Sequence, residues 1–159
     1  MRFFVLLAAL VLLLQACDDR RVYEDSQDFR ARAWKVTDVP HFEFAIKDPG
    51  SKYNLYCIIR NSLDYPYARF FVRYALRDSA GTELQSKLVS EFLFDQKTGQ
   101  PLGRSGLGDV FDHQFLLLNN YEFKGPGKYK LDLEQFMRLD TLQGILSVGV
   151  RVETVKGKE

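Results

Sequence analysis

The 159-residue sequence has no apolar run long enough to cross a bilayer as a helix. Its longest such run is the twelve residues from Phe3 to Leu14, whereas a spanning helix needs about twenty. Charged or turn-forming residues interrupt every hydrophobic run after Cys17. The chain is therefore not predicted to be embedded in a membrane by a helix of its own.

An excess of charge of either sign is also absent. The sequence has 22 Lys and Arg against 21 Asp and Glu, and removal of residues 1–16 takes away only Arg2, which leaves 21 of each. The basic residues alternate with acidic ones along the whole chain. Because nucleic-acid binding requires a clustered basic face, the sequence predicts no nucleic-acid partner.

Cysteine and histidine are scarce, with two of each. Cys57 lies in the apolar stretch Tyr53–Ile59, where a buried, unreactive thiol is expected. The cluster Asp109, Asp112 and His113 has metal-ligand residue types, but one histidine beside a glycine-rich turn is typical of a solvated strand end. We therefore predict no metal here.

The glycine-rich stretch 103–108 lacks the Lys and Ser/Thr spacing of a phosphate-binding loop. No serine has the elbow motif of a nucleophile. The sequence accordingly predicts no cofactor, no small-molecule substrate and no enzymatic activity. A hydrolase with paired carboxylates from distant strands stays open as an alternative, because such pairs leave no local signature.

The N-terminus has the order of an export signal: basic Arg2, the apolar stretch, and then Leu14-Gln15-Ala16-Cys17. This end resembles a bacterial lipobox, which implies cleavage of a signal peptide over 1–16 and acylation of Cys17. Two or more acyl chains hold a protein durably on a membrane. We therefore expect a lipid-anchored domain.

Two-residue alternation from Phe42 onward predicts an all-β protein, a single antiparallel β-sandwich with jelly-roll or immunoglobulin-like connections. We assign 17–33 to the lipidated cysteine and a leader, 34–155 to the sandwich and 156–159 to a tail. The stretch before Trp34 has an unclear period and is left open between a helical turn and an extended edge segment. The predicted strands are Phe42–Ile46, Tyr53–Arg60, Phe70–Arg77, Leu84–Phe94, Phe111–Tyr121, Lys128–Leu133 and Leu146–Glu153.

Three finer features are also predicted. The first two strands are expected to form a hairpin, and the second of them to be central in its sheet. Leu88, Phe92 and Phe94 should share the apolar face of one strand, opposite Lys87 and Glu91. Gln135–Leu142 should form a short helical turn that directs Phe136 and Met137 inward.

The loop Leu63–Tyr67 is a candidate contact surface. Tyr65 and Tyr67 flank Pro66, and tyrosines on a loop provide large aromatic platforms for sugar or protein. We expect one ring to cap the end of the sandwich and the other to remain available.

Three stretches carry a resemblance to a known family: Tyr56–Tyr67, the loop Gly106–Asp109, and Tyr129–Glu153. In this order and spacing, after a lipobox-like start, the chain resembles the gliding-motility lipoprotein H family of Bacteroidetes. The resemblance implies a non-enzymatic envelope component that contacts other proteins of the gliding apparatus and its associated secretion system. Candidate contact residues on loops of the shared motifs are Tyr65, Pro66, Tyr67, Gly108, Asp109 and Arg138.

Two further expectations follow. Asp18 and Asp19 beside the lipidated cysteine bear on sorting between membranes, and we favour the outer membrane with the domain facing the periplasm. The alternative function is a glycan-binding envelope lipoprotein that uses Tyr65 or Tyr67 as a sugar platform.

Overall fold

A computed structural model describes residues 20–155, which form β-strands and no helix. Within this range there is accordingly no helix that is long and apolar enough to cross a membrane. The predicted signal peptide, Cys17 and the tail lie outside the described residues. The strands are β1 Arg21–Asp28, β2 Ala33–Lys35, β3 His41–Ile46, β4 Lys52–Ser62, β5 Arg69–Asp78, β6 Glu83–Phe92, β7 Arg104–Ser105, β8 Val110–Glu122, β9 Gly127–Gln135, β10 Thr141–Gln143 and β11 Ile145–Thr154.

All strand pairs are antiparallel, which confirms the all-β, antiparallel prediction. A five-stranded sheet has the order β1-β11-β4-β8-β7, and a four-stranded sheet has the order β3-β9-β5-β6. A small sheet pairs β10 with β2. The predicted central position of the Tyr53–Arg60 strand is confirmed, since β4 has β11 on one side and β8 on the other.

The hydrophobic core is supplied by alternate residues of both large sheets, because successive side chains of a strand point to opposite faces. Trp34 of the small sheet is fully buried beside this core, and its Nε1 donates a hydrogen bond to the Asp38 carbonyl at 2.7 Å. The strand residues of the core include Phe42, Phe44, Ile46, Leu55, Cys57, Ile59, Phe70, Val72, Tyr74, Leu76, Leu131, Leu133, Val148, Val150 and Val152.

The predicted hairpin between the first two strands is wrong. β3 pairs with β9, and both edges of β4 are occupied by β8 and β11. The connection 47–51 therefore carries the chain from one sheet to the other. Asp48 stabilises this turn by accepting hydrogen bonds from the Gly50 amide at 3.0 Å and the Ser51 hydroxyl at 2.6 Å.

The predicted helical turn over Gln135–Leu142 is also wrong. The Gln135 side chain accepts a hydrogen bond from the Met137 amide at 3.0 Å and donates one to the Leu139 carbonyl at 2.6 Å. Arg138 has a φ of 58°, which is incompatible with a right-handed helix. Met137 packs against the core as expected, whereas Phe136 is exposed.

Two other segments differ from the sequence prediction. Residues 21–28, which the sequence analysis assigned to the leader, form edge strand β1 and pair with β11. Of the two alternatives left open for this stretch, the extended edge segment is therefore correct. The folded domain consequently begins before Trp34. In β6, Leu88 and Phe92 lie on the outer side of the sheet. The residues of this edge strand on the core side are those paired with buried Val72 and Tyr74 of β5, namely half-buried Val89 and exposed Lys87.

The molecule has two distinct ends. The N-terminal end carries Arg20, whose carbonyl accepts a hydrogen bond from Thr154, together with the connections 47–51, 79–82 and 123–126. The loop end carries the connections 29–32, 63–68, 93–103, 106–109 and 136–140. Since β4 has eleven residues, the two ends are separated by about 35 Å.

Candidate interaction surface at the loop end

The two tyrosines of the 63–68 loop have different surroundings. Tyr65 is only 3% exposed, donates its hydroxyl hydrogen bond to the Arg69 carbonyl at 2.9 Å, and stacks on Phe94 with ring centroids 6.3 Å apart. Burial raises the pKa of Tyr65 above its usual value. Tyr67 is 41% exposed and meets the Tyr65 ring edge-on at 5.8 Å. Tyr65 thus caps the core, and Tyr67 is the ring available for contact.

Gly144 fixes the position of this loop. Its carbonyl accepts a hydrogen bond from the Ser62 amide at 2.9 Å, and its φ is 80°. A Cβ at this position would lie 2.3 Å from the Tyr65 nitrogen. Only glycine allows both the left-handed backbone and the close approach of the loop.

Asp109 joins a second loop to the tyrosine loop. The Leu63 amide donates a hydrogen bond to the Asp109 carbonyl at 3.1 Å. Gly108 directly precedes Asp109, and its φ of 70° turns the chain toward β8. Arg32 lies 3.4 Å from the Asp109 carboxylate and 3.9 Å from that of Asp64. Arg32 was not predicted, because its partner is 77 residues away and no local pattern signals the pair.

Arg138 also lies at the loop end, because the residue before it, Met137, contacts the tyrosine loop and β5. The Met137 sulfur accepts a hydrogen bond from the Phe71 amide at 3.2 Å and lies 3.8 Å from the Tyr65 hydroxyl. Arg138 itself is exposed. All six contact candidates are thus at the loop end, with Pro66 and Tyr67 exposed and Tyr65 buried.

In the Asp109, Asp112 and His113 cluster, Asp112 and His113 have close neighbours of their own. Asp112 accepts two hydrogen bonds from Arg60, at 2.7 and 3.1 Å. Burial lowers the pKa of His113. Gly103 packs directly on its ring, since a Cβ at this position would lie 2.5 Å from the His113 Nε2. Across residues 20–155, no group of three or more potential ligands could hold a metal ion.

A cleft of about 550 Å³ runs along the five-stranded sheet toward the loop end. Two of its acidic residues are Glu24 and Asp112. Each accepts a hydrogen bond from an arginine, Glu24 from Arg151 at 2.6 Å and Asp112 from Arg60. The cleft therefore presents the carboxylates of Glu24 and Asp112 as ion pairs, and Glu91 is its third acidic residue.

Apolar side chains are exposed mainly at the loop end. Of the eleven large hydrophobic residues that are exposed in the described range, seven lie on its connections or at the adjoining end of β6. Leu107 is 94% exposed and Leu63 is 55% exposed. The connections 47–51, 79–82 and 123–126 at the other end contribute none. The seven residues are Leu63, Tyr67, Phe92, Leu102, Leu107, Phe136 and Leu139.

These features define a class of protein, an antiparallel all-β domain with an apolar surface built from loops at one end. The sequence places it more narrowly. The chain belongs to the GldH lipoprotein family, whose family model matches residues 21–152.

Two relatives are similar over nearly the whole chain. The gliding motility lipoprotein GldH homolog of Christiangramia forsetii is 30% identical over 150 residues and covers 90% of both chains. The gliding motility lipoprotein GldH of Flavobacterium johnsoniae is 29% identical over 156 residues and covers 94% of both. Among solved structures, an infectious bursal disease virus VP2 subviral particle matches 88% of this chain and 33% of its own at 14% identity, with a TM-score of 0.43.

Proposed function

We propose that this protein is a lipid-anchored accessory component of the gliding-motility machinery and its associated secretion system, and that it acts through protein contacts without catalysis. The proposed mechanism rests on one observation: most of the exposed large apolar side chains lie at the loop end, at the opposite end of the domain from Arg20. A concentration of exposed apolar side chains at one end of a domain is typical of a protein interaction site. Membership of the GldH lipoprotein family supports the assignment to gliding motility.

The anchor would hold the N-terminal end against the bilayer. Cys17 is three residues before Arg20, and three residues of extended chain span at most about 10 Å. Acylation of Cys17 would therefore place the connections 47–51 and 123–126 near the lipid head groups. The loop end would then be displayed about 35 Å farther out, where a partner can reach it. We assign the domain to the periplasmic side of the outer membrane.

Co-purification of the native acylated protein from detergent-solubilised envelopes tests this function. A Leu63→Glu/Leu107→Glu double variant adds charge to the loop end, and Leu116→Glu, at an exposed position in the middle of β8, is the matched control. We expect the wild type and the control to recover the same envelope proteins. The double variant should recover at least about tenfold less, because a buried unpaired charge in a contact is costly.

Recovery of the wild-type domain alone would contradict the proposal. So would full recovery of the same proteins with the double variant. Equal urea midpoints for the three proteins would exclude unfolding as the cause of a loss.

One observation favours glycan binding as a second candidate function. Tyr67 lines a depression of about 330 Å³ together with Leu63, Asp95 and Gln96, and an aromatic ring beside polar groups suits a sugar. Calorimetric titration of the acylated protein with a panel of envelope polysaccharides should give heat that Tyr67→Ala abolishes. No heat from any polysaccharide would reject this candidate.

A further inference from the structure

The geometry points to a specific docking surface on the outer face of the four-stranded sheet, next to the loop end, for a segment of another envelope protein that presents a carboxylate between apolar side chains. We call it the Arg69 surface and define it by Arg69, Phe71, Leu88, Phe92 and Phe136. The inference rests on the proposed function and names the kind of partner segment.

Arg69 differs from the other arginines of its strand. Arg69, Arg73 and Arg77 are spaced four residues apart and therefore share the outer face of β5. Arg73 and Arg77 each contact carboxylates of neighbouring strands, at 3.3 and 3.1 Å. Arg69 has no carboxylate within ion-pair distance among residues 20–155, and its Nη2 donates to the Ser90 hydroxyl at 2.8 Å. A guanidinium has five N–H donors, so most of those of Arg69 remain for a ligand.

Two aromatic rings hold the Arg69 guanidinium in place. Its Cζ lies 5.0 Å from the Phe71 ring centroid and 5.1 Å from that of Phe92. A guanidinium fixed on aromatic faces loses little further freedom when it binds, and its planar fork fits a carboxylate through two parallel hydrogen bonds. The side chain is thus preorganised for an anionic group.

Apolar side chains surround this cation. Phe92 is 36% exposed, Leu88 44% and Phe136 46%. The Phe136 amide donates to the Phe71 carbonyl at 2.9 Å, which places Phe136 next to Phe71 at the end of the sheet. Exposed aromatic residues around an arginine have the composition of the centre of a protein contact.

Charge complementarity therefore indicates which kind of ligand the Arg69 surface binds. The positive group at the centre requires an anion, and the apolar rim requires apolar neighbours on the same ligand. A protein segment with Asp or Glu flanked by apolar residues satisfies both requirements. The surface lies toward the end that is remote from Arg20, so the head groups of the anchoring membrane are not adjacent to it.

Site-specific photo-cross-linking in cells tests the inference with the full acylated protein. A photoreactive phenylalanine analogue replaces Leu88, alone or combined with Arg69→Gln or Arg104→Gln. Arg104 is the matched control, because it is exposed near the same end on the other sheet, across the cleft from Phe92, and has no ion pair in the described range. Both changes remove one positive charge.

We expect a cross-link to another envelope protein that Arg69→Gln reduces at least about tenfold and that Arg104→Gln leaves unchanged. Arg69→Lys should restore only part of it, because lysine keeps the charge and lacks the planar fork. The cross-linked peptide should contain Asp or Glu beside apolar residues. Changing that acid to its amide should reproduce the loss, with no additional loss when it is combined with Arg69→Gln.

Any of four results would overturn the inference: no cross-link from the wild-type background, a product that joins two copies of this chain, a product with lipid or polysaccharide, or equal losses for Arg69→Gln and Arg104→Gln. The proposed function fails separately. If the Leu63→Glu/Leu107→Glu variant loses its partners while Arg69→Gln keeps them, the protein-contact function stands and the Arg69 surface is rejected.

Discussion

At the residue scale, the loop end depends on a glycine. Gly144 and Gly81 have nearly the same backbone, with φ values of 80° and 83°. Their surroundings differ, since a Cβ at Gly144 would lie 2.3 Å from the Tyr65 nitrogen and a Cβ at Gly81 would meet nothing within 4 Å. Alanine substitutions at the two positions therefore separate two free-energy costs, that of a left-handed backbone and that of displacing the tyrosine loop.

Gly81→Ala should lower the free energy of unfolding by about 1 kcal/mol, the cost of a left-handed alanine. Gly144→Ala should lower it by at least about 1 kcal/mol more, because the backbone of the tyrosine loop must shift. Urea denaturation of the two variants and the wild type measures both effects. Equal losses would show that Tyr65 does not pack against Gly144 as described.

His113 gives the domain a predicted pH dependence. Burial lowers its folded pKa below the ordinary value of 6.5, and the unfolded chain therefore takes up the proton first as the pH falls. The contribution of the neutral ring to stability is complete above that ordinary value. It is lost as the pH falls from there through the folded pKa.

The free energy of unfolding should consequently drop more steeply for the wild type than for His113→Gln between about pH 7.5 and about pH 5.5. The comparison of slopes matters, since the variant also loses packing against Gly103 and is less stable at every pH. Urea titrations at a series of pH values give both slopes. Parallel curves would contradict a buried neutral His113.

At the element scale, β6 is an edge strand that carries charge on its core side. Lys87 and Glu91 pair with Tyr74 and Phe70, two fully buried residues of β5. Both charged side chains remain exposed at the rim of the sheet, and charge on the core side of an edge strand discourages pairing with another chain. This arrangement also explains why Leu88 and Phe92 face outward, contrary to the apolar-inside expectation for this strand.

Lys87→Val should therefore increase self-association, because it leaves an apolar, unpaired strand edge. Lys97→Val, at an exposed position of the 93–103 connection, is the control and should behave like the wild type. Light scattering at increasing protein concentration measures the difference. A Lys87→Val variant that stays as monodisperse as the control would show that this edge is protected by other means.

The elements were predictable where one strand face is buried. Alternation in Phe70–Arg77 and Leu146–Glu153 located β5 and β11, because Phe70, Val72 and Tyr74 of β5 and Val148, Val150 and Val152 of β11 are fully buried, although β11 also buries the intervening Ser147 and Gly149. Pairing was not predictable, since it depends on which strand edges are free, and the adjacent strands β3 and β4 lie in different sheets. The turn after Gln135 depends on side-chain hydrogen bonds to the backbone, which a helical pattern does not exclude.

At the scale of the whole molecule, the site was predictable only in part. Turn-forming residues identified the loops with Tyr67 and Gly108, whereas Arg138 was a candidate only through the family resemblance, in a segment predicted to be helical; the strand directions bring all three residues to one end. Arg32 and the Arg69 surface were not predictable, because they depend on contacts between distant segments. The position of the loop end opposite Arg20 also follows only from the assembled sheets.

The account depends on a domain that is tethered at Cys17 and displays its loop end away from the bilayer. Energy transfer in liposomes with acceptor-labelled head groups tests it, using the native acylated protein with a donor dye on Lys124→Cys or on Leu107→Cys. Cys57 should not react with the dye, since it is fully buried and burial raises its thiol pKa.

We expect strong transfer from position 124 and weak transfer from position 107, because the proposed tethering would place position 107 about 35 Å farther from the lipid. Equal transfer from the two positions, stronger transfer from position 107, or a protein that does not stay with the vesicles would contradict the account.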